Sequence, residues 1–362
     1  MGSISYEIDA GGNMELVLKN PNSQQTVPVI SPSKDGKGTI QDETFKNSQL
    51  GGRYAPFHGQ KAISEVRFRV SSRHLILASR TFRSMLEGPW TEATSTSPTN
   101  NSVRQIIASD WDAISLAIVL DIIHGRHKEV PRVINLRTLT NIATMAEYYR
   151  CLEVVEIFGD RWFNILLGEP TQKYSGETLM WLYVSWIFSK RKILANVTET
   201  ILEHMDGLQA DTKDLPLAEI LGTIDKKRRE YIGKILVGLY ELRNELPDES
   251  GCVMHGARSP SCASITLGIL VRELERIGQL DPPLVHPFEG YSVSGVMQMV
   301  RDIPESLIDP PPDNGDHLLD GSSCSVPARM GHVLAEVKSS IKSWTFDWAR
   351  DRCEGQVQGQ RE

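Results

Sequence analysis

The stretch Val66–Gly88, VRFRVSSRHLILASRTFRSMLEG, limits most tightly what this chain can fold into. Val66, Phe68 and Val70 alternate with Arg67 and Arg69, the period of a strand with one apolar and one solvated face. Ser71 and Ser72 follow, with hydroxyls suited to capping a helix start. Leu75, Leu77, Ala78, Phe82, Met85 and Leu86 then supply an apolar face at helical spacing. Ser79 interrupts that face, so two short helices are expected in place of one. Gly88 and Pro89 end the run. A strand feeding a tight helical hairpin, with no catalytic residue type on display, reads as a scaffold core.

The rest of the chain arranges itself around this run. Residues 14–19, MELVLK, have the pattern of a strand, and Val103, Ile106 and Ile107 that of a short one. Residues 20–59 hold four prolines, several glycines and many small polar residues, too little apolar surface to offset ordering entropy. They are expected to form a disordered insertion, with a second loop at 94–102. Residues 111–125 read as a helix apolar around most of its circumference, and therefore deeply buried. Helices are also expected over 136–149 and 152–167. From Glu177 the helical spacing continues through Leu179, Leu182, Trp186, Ile193, Ile201 and Met205. Further helices are expected from Pro216 to about Leu246, over 263–277 and over 331–344. The fold class is α+β at the N-terminus, a small sheet with packed helices, followed by a mainly helical region.

The 362 residues carry a net charge of −7, which argues against a general nucleic-acid surface. The longest strongly apolar run, Leu179–Phe188, is too short to span a bilayer. No basic region followed by an apolar run opens the chain, so an intracellular protein, cytoplasmic or nuclear, is expected. The five cysteines fit reduced thiols or a metal site better than a disulfide framework. No nucleophile-elbow, phosphate-loop or H-E-x-x-H spacing occurs, so no enzyme is expected.

Val70-Ser71-Ser72, His74-Leu75, Leu77-Ala78-Ser79, Phe82, Met85-Leu86 and Trp90-Thr91-Glu92 together resemble the BTB/POZ domain, in the form common in fungal proteins. Asp110-Trp111-Asp112, Ile122-Ile123-His124-Gly125, Val130-Pro131 and Glu147-Tyr148-Tyr149 fit the same form. Many BTB domains carry His where this chain has Ser71. The resemblance implies a BTB domain over residues 5–168 containing the insertion, with short tails at 1–4 and 356–362 and a helical extension over 172–355. It also implies protein–protein interaction: a homodimer or pairing with another BTB protein, and an adaptor role in a cullin-type ubiquitin ligase. In BTB adaptors that recruit a cullin, a bulky apolar residue, any residue and then Glu follow the first helical hairpin. Trp90 and Glu92 stand at that place here. A transcriptional co-regulator acting through a partner and a purely structural scaffold are the competing readings.

Three further features carry chemistry. The runs Lys190-Arg191-Lys192 and Lys226-Lys227-Arg228-Arg229 are read as solvated helix faces in preference to nuclear-import or phosphate-binding signals. Trp181, Tyr183 and Trp186 suit helix packing better than an aromatic ligand box. Cys252, His255, Cys262, His286, His317 and Cys324 have metal-ligand character, since zinc takes four thiolate or imidazole ligands in a tetrahedron. Fungal BTB proteins look similar here: a Cys pair before a helix with a Leu-Gly step, matched by Thr266-Leu267-Gly268, then a later His and Cys. The resemblance implies Cys252, Cys262, His317 and Cys324 as ligands of a structural zinc. Nine residues between the first pair depart from tight zinc spacing, and on spacing alone buried free thiols are read in preference to a metal site.

Overall fold

In the computed structural model the described residues are 2–30, 54, 63–88, 104–166, 173–248, 260–304 and 325–345. The protein is α+β: a mixed four-stranded sheet with helices comes first, then a mainly helical region. The described residues fall into two compact units. Residues 2–30, 54, 63–88, 104–166, 173–197 and 211–217 make the first, and 198–210, 218–248, 260–304 and 325–345 the second.

The sheet of the first unit has β1 (Gly2–Glu7), β2 (Met14–Lys19), β4 (Ile63–Val70) and β5 (Arg104–Ser109), with the two-residue strand β3 (Val29–Ile30) outside it. Its order is β1-β4-β2-β5. β2 runs antiparallel to β4, while β1 on β4 and β5 on β2 are parallel pairs. The register places Tyr6, Phe68, Leu16 and Ile106 in one buried row across all four strands. On the other face Arg67 donates to Glu65 at 2.6 Å and to Glu15 at 3.2 Å. The alternation read from the sequence is thus the pleat itself.

Residues 1–4, expected as a tail, require a correction, because Gly2–Ile4 open strand β1. GSISYE has little apolar pattern of its own beyond Ile4 and Tyr6, and parallel pairing with β4 gives it a sheet to join. The stretch expected to be a disordered insertion also differs over its first part. The Asn22 and Gln24 amides donate to the Trp111 and Asp110 carbonyls at 2.9 and 2.8 Å. The Asn22 side chain accepts from Ala113 N at 2.9 Å, and the Thr26 hydroxyl donates to Asn141. These backbone and side-chain bonds order residues that have little apolar surface of their own. Tyr54 is buried as well, donating to the Asp121 carboxylate and the Glu129 carbonyl at 3.1 Å each.

Helices α1 (Ser72–Ala78) and α2 (Arg80–Glu87) form the hairpin, split at Ser79 as the sequence predicts. α3 (Ala113–Ile123) is buried on every face, all eleven residues of it, starting at the Asp112 side chain that accepts from Ser115 N. α4 (Leu136–Tyr148) packs on α3 and on α6 (Gly176–Ile187), and α5 (Leu152–Leu166) on α4. Trp181 and Tyr183 are buried in α6, with Trp181 against Phe163 of α5, so these rings pack helices together.

After α7 (Arg191–His204) and the two-residue β6 (Ala210–Asp211), the second unit is organised by the long α8 (Ala218–Glu245). Against it pack α9 (Pro260–Gly278), α10 (Val293–Arg301) and α12 (Gly331–Ser343), which follows the single turn α11 (Val326–Arg329). The basic run 226–229 is not wholly a solvated face. Arg228 is fully buried: its guanidinium donates to Asp225 at 2.7 Å and to the carbonyls of Pro287, Phe288 and Tyr291 at 3.0, 2.7 and 2.6 Å. Asp225, equally buried, also pairs with Arg229. One planar fork thereby fixes the loop before α10 to the middle of α8. No helix among the described residues is long and apolar enough to cross a membrane.

Replacing Arg228 by Ala strips the Pro287 and Tyr291 carbonyls of their donor, leaves the Phe288 carbonyl with the Tyr291 amide alone, removes half of the Asp225 pairing, and is expected to cost about 3–5 kcal/mol. Arg228→Lys, which lacks the fork, should recover only part of it. Urea unfolding of the full chain measures both, and a loss below about 1 kcal/mol for the alanine variant would show the cluster to be dispensable.

Candidate interaction surface

The sequence places the partner-binding residues Trp90 and Glu92 just after the α1–α2 hairpin, and the geometry of that hairpin begins at the strand–helix junction. Ser71 holds the N-cap position of α1, but neither serine hydroxyl caps the helix. The cap comes from elsewhere. Asn13, in the β1–β2 turn, accepts from Ser72 N and donates to Ser72 Oγ, both at 2.9 Å. The Ser71 amide donates to Nε2 of His124, the residue that ends α3, at 3.0 Å. The same ring faces the Leu120 carbonyl through Nδ1 at 2.8 Å. An imidazole therefore does reach the junction, from position 124 and not from 71. Burial holds His124 below the ordinary histidine range, with repulsion from His74 adding to it, while the Leu120 carbonyl and Asp9 act in the opposite sense.

At the other end of α1, Ser79 closes one helix and opens the next. Its amide donates to the Leu75 carbonyl, and its hydroxyl accepts from Phe82 N at 3.0 Å, the N-cap bond of α2. That hydroxyl also donates to the Tyr149 carbonyl at 2.5 Å, where α4 ends. Thr81 repeats the connection one position outward, donating to the Tyr148 carbonyl at 3.0 Å. Two hydroxyls thus satisfy the last carbonyls of α4, groups that no intrahelical donor reaches.

Aromatic rings fill the seam. Phe82 stacks on Tyr149 with centroids 4.4 Å apart, and Trp111 Nε1 donates to the Tyr149 hydroxyl at 3.1 Å. Burial raises the Tyr149 phenol well above its ordinary range, so it stays protonated. Tyr148 meets the edges of Trp111 and Tyr149 at 5.3 and 5.0 Å, yet 56% of it faces water. On α1 Leu77 is 80% exposed. Arg80 and Arg83 lie exposed along the outer side of α2. Two large apolar side chains in water, with two exposed arginines on α2, make a composition suited to contact with another protein. Cys151, just below, takes no part: it is buried, and its thiol is pushed up to about 12 by burial.

Trp90 and Glu92, the residues expected to meet a partner, lie outside the described residues; α2 ends three residues before Trp90. Of the expected zinc ligands, Cys252, His317 and Cys324 also lie outside them, as does His255, and of Cys262 only the backbone, in the first turn of α9, is described. His286 sits in the loop before α10 beside Phe288. Among the described residues no group of three His, Cys, Asp or Glu is placed to hold a metal ion. The sequence reading passed over Asn13, His124 and Tyr148 as working parts of the surface. His124 and Tyr148 stood in view as matched positions, but which backbone they touch depends on contacts far apart in the chain.

Comparison of the chain with protein-family models, curated proteins and solved structures finds no match.

Ser79→Ala removes the α2 cap and the bond to Tyr149 together and is expected to destabilise the protein by about 1–3 kcal/mol. Chemical denaturation followed by tryptophan fluorescence measures this. A change below about 0.3 kcal/mol would mean that ring stacking alone holds the hairpin.

Proposed function

We propose that the protein is a non-enzymatic interaction module, a BTB/POZ-like adaptor that presents the α1–α2 hairpin, the end of α4 and the segment carrying Trp90 and Glu92 to a partner protein. The observation that carries this reading is the exposure of two large apolar side chains, Leu77 on α1 and Tyr148 at the end of α4, the latter with its carbonyl held by Thr81. Exposure on a rigid seat lowers the ordering cost of binding, and aromatic side chains often dominate interfaces. The sequence resemblance supplies the class of partner, a cullin scaffold, or a second copy of the chain. Trp90 serves as the apolar anchor and Glu92 as acceptor of a charge-assisted hydrogen bond. Structural zinc in the C-terminal region, held by Cys252, Cys262, His317 and Cys324, belongs to the same reading and is checked by metal analysis of the purified protein.

Titration of the full chain against a cullin N-terminal domain tests the adaptor role. Trp90→Ala is expected to weaken binding by about 2 kcal/mol, a hot-spot value, with the unfolding curve unchanged, and Tyr148→Ala by about 1 kcal/mol, beside a modest loss of stability from its ring contacts with Trp111 and Tyr149. No binding by the wild type, or equal affinity for all three, would remove the cullin from the account. Light scattering at tens of micromolar then decides whether the partner is a second copy.

A further inference from the structure

We propose that His124 is a proton-sensitive latch for the hairpin: the neutral imidazole clamps the start of α1 to the end of α3, and protonation releases that clamp. The geometry allows only one neutral arrangement. Ser71 N is a donor, so Nε2 must be its acceptor, and the single ring proton must then sit on Nδ1, pointing at the Leu120 carbonyl. Adding a proton to Nε2 turns the acceptor into a donor facing another donor. The Ser71 amide, the N-cap residue's own N–H, then loses its partner.

The groups around the ring set how readily that happens. His74, on α1, lies with its ring centroid 5.0 Å away, so a charge on either imidazole opposes a charge on the other. Asp9, in the turn after β1, is the acidic group that favours the charged form, but its carboxylate already accepts from Gly11 N at 2.9 Å. Arg126, two residues beyond His124, is turned away onto the Ile8 carbonyl and paired with buried Asp121. Asn13 clamps the neighbouring Ser72 with a group that does not titrate, so release is local and does not unfold the sheet. The pH window follows from the sign. A folded-state pKa held below the unfolded value of about 6.5 gives stability that is complete above that pH and lost as pH falls toward and through the folded value. The latch goes beyond the adaptor reading and needs no partner for its test.

Two measurements on the full chain decide it. The ring nitrogens of His124 should show the Nδ1–H tautomer at pH 7 and titrate below the ordinary histidine value. The hydrogen-exchange protection of the Ser71 amide, corrected for intrinsic exchange, should fall about tenfold between pH 7 and pH 5.5. In His124→Gln that pH dependence should vanish, while His74→Gln should keep it. A His124 titrating at or above about 6.5, an Nε2–H tautomer, or the same pH dependence in wild type and His124→Gln would overturn the latch. If His124→Gln does not fold, the wild-type ring signals decide alone.

Discussion

The Ser79 hydroxyl is the interaction on which the hairpin and its surface depend. One atom accepts the cap bond of α2 and donates to the last turn of α4, while the same residue's amide ends α1. Three helix termini, each with groups that need partners, are satisfied at one buried point. The Tyr149 whose carbonyl it holds in turn stacks on Phe82 and accepts from Trp111 at its hydroxyl. Tyr148 is left at the rim with its backbone held by Thr81. The placing of Tyr148 is thus a consequence of how the helix ends are closed.

How far the fold was legible depended on how local its cause was. The split at Ser79 was readable because a serine stands in the middle of an apolar stripe. The burial of α3 was readable because AISLAIVLDII has no polar face to turn outward. β1 was not, since GSISYE is mostly small and polar and becomes a strand only through a parallel partner at Ile63–Arg69. The cap of α1 misled for the same reason: Ser71 and Ser72 had the right chemistry, but Asn13 and His124 arrive from more than fifty residues away. Within the candidate surface, Trp90 and Glu92 were legible as a motif and lie outside the described residues, whereas Tyr148 stood out only once its neighbours were in place.

The second unit teaches a related lesson about charge. A run such as Lys226-Lys227-Arg228-Arg229 next to Asp225 looks like a solvated helix face, and Lys227, paired with Glu230 at 2.7 Å, is one. Arg228 is buried because a loop some sixty residues on offers three carbonyls to one guanidinium. A buried charge with four of its five donors matched specifies the position of that loop more sharply than apolar contact would. Nothing in the run's composition distinguishes the buried arginine from its neighbours.

The central claim, that the hairpin face meets another protein, is tested most directly by comparing what the chain touches in living cells with and without that face. Proximity labelling from full-length wild type and from a Leu77→Asp/Tyr148→Asp variant of matched abundance and melting behaviour gives the comparison. The account predicts that the variant loses a defined subset of the labelled proteins, any cullin or second copy of the chain among them, and keeps the remainder. An identical set for both would contradict it and place the protein's contacts elsewhere on the chain.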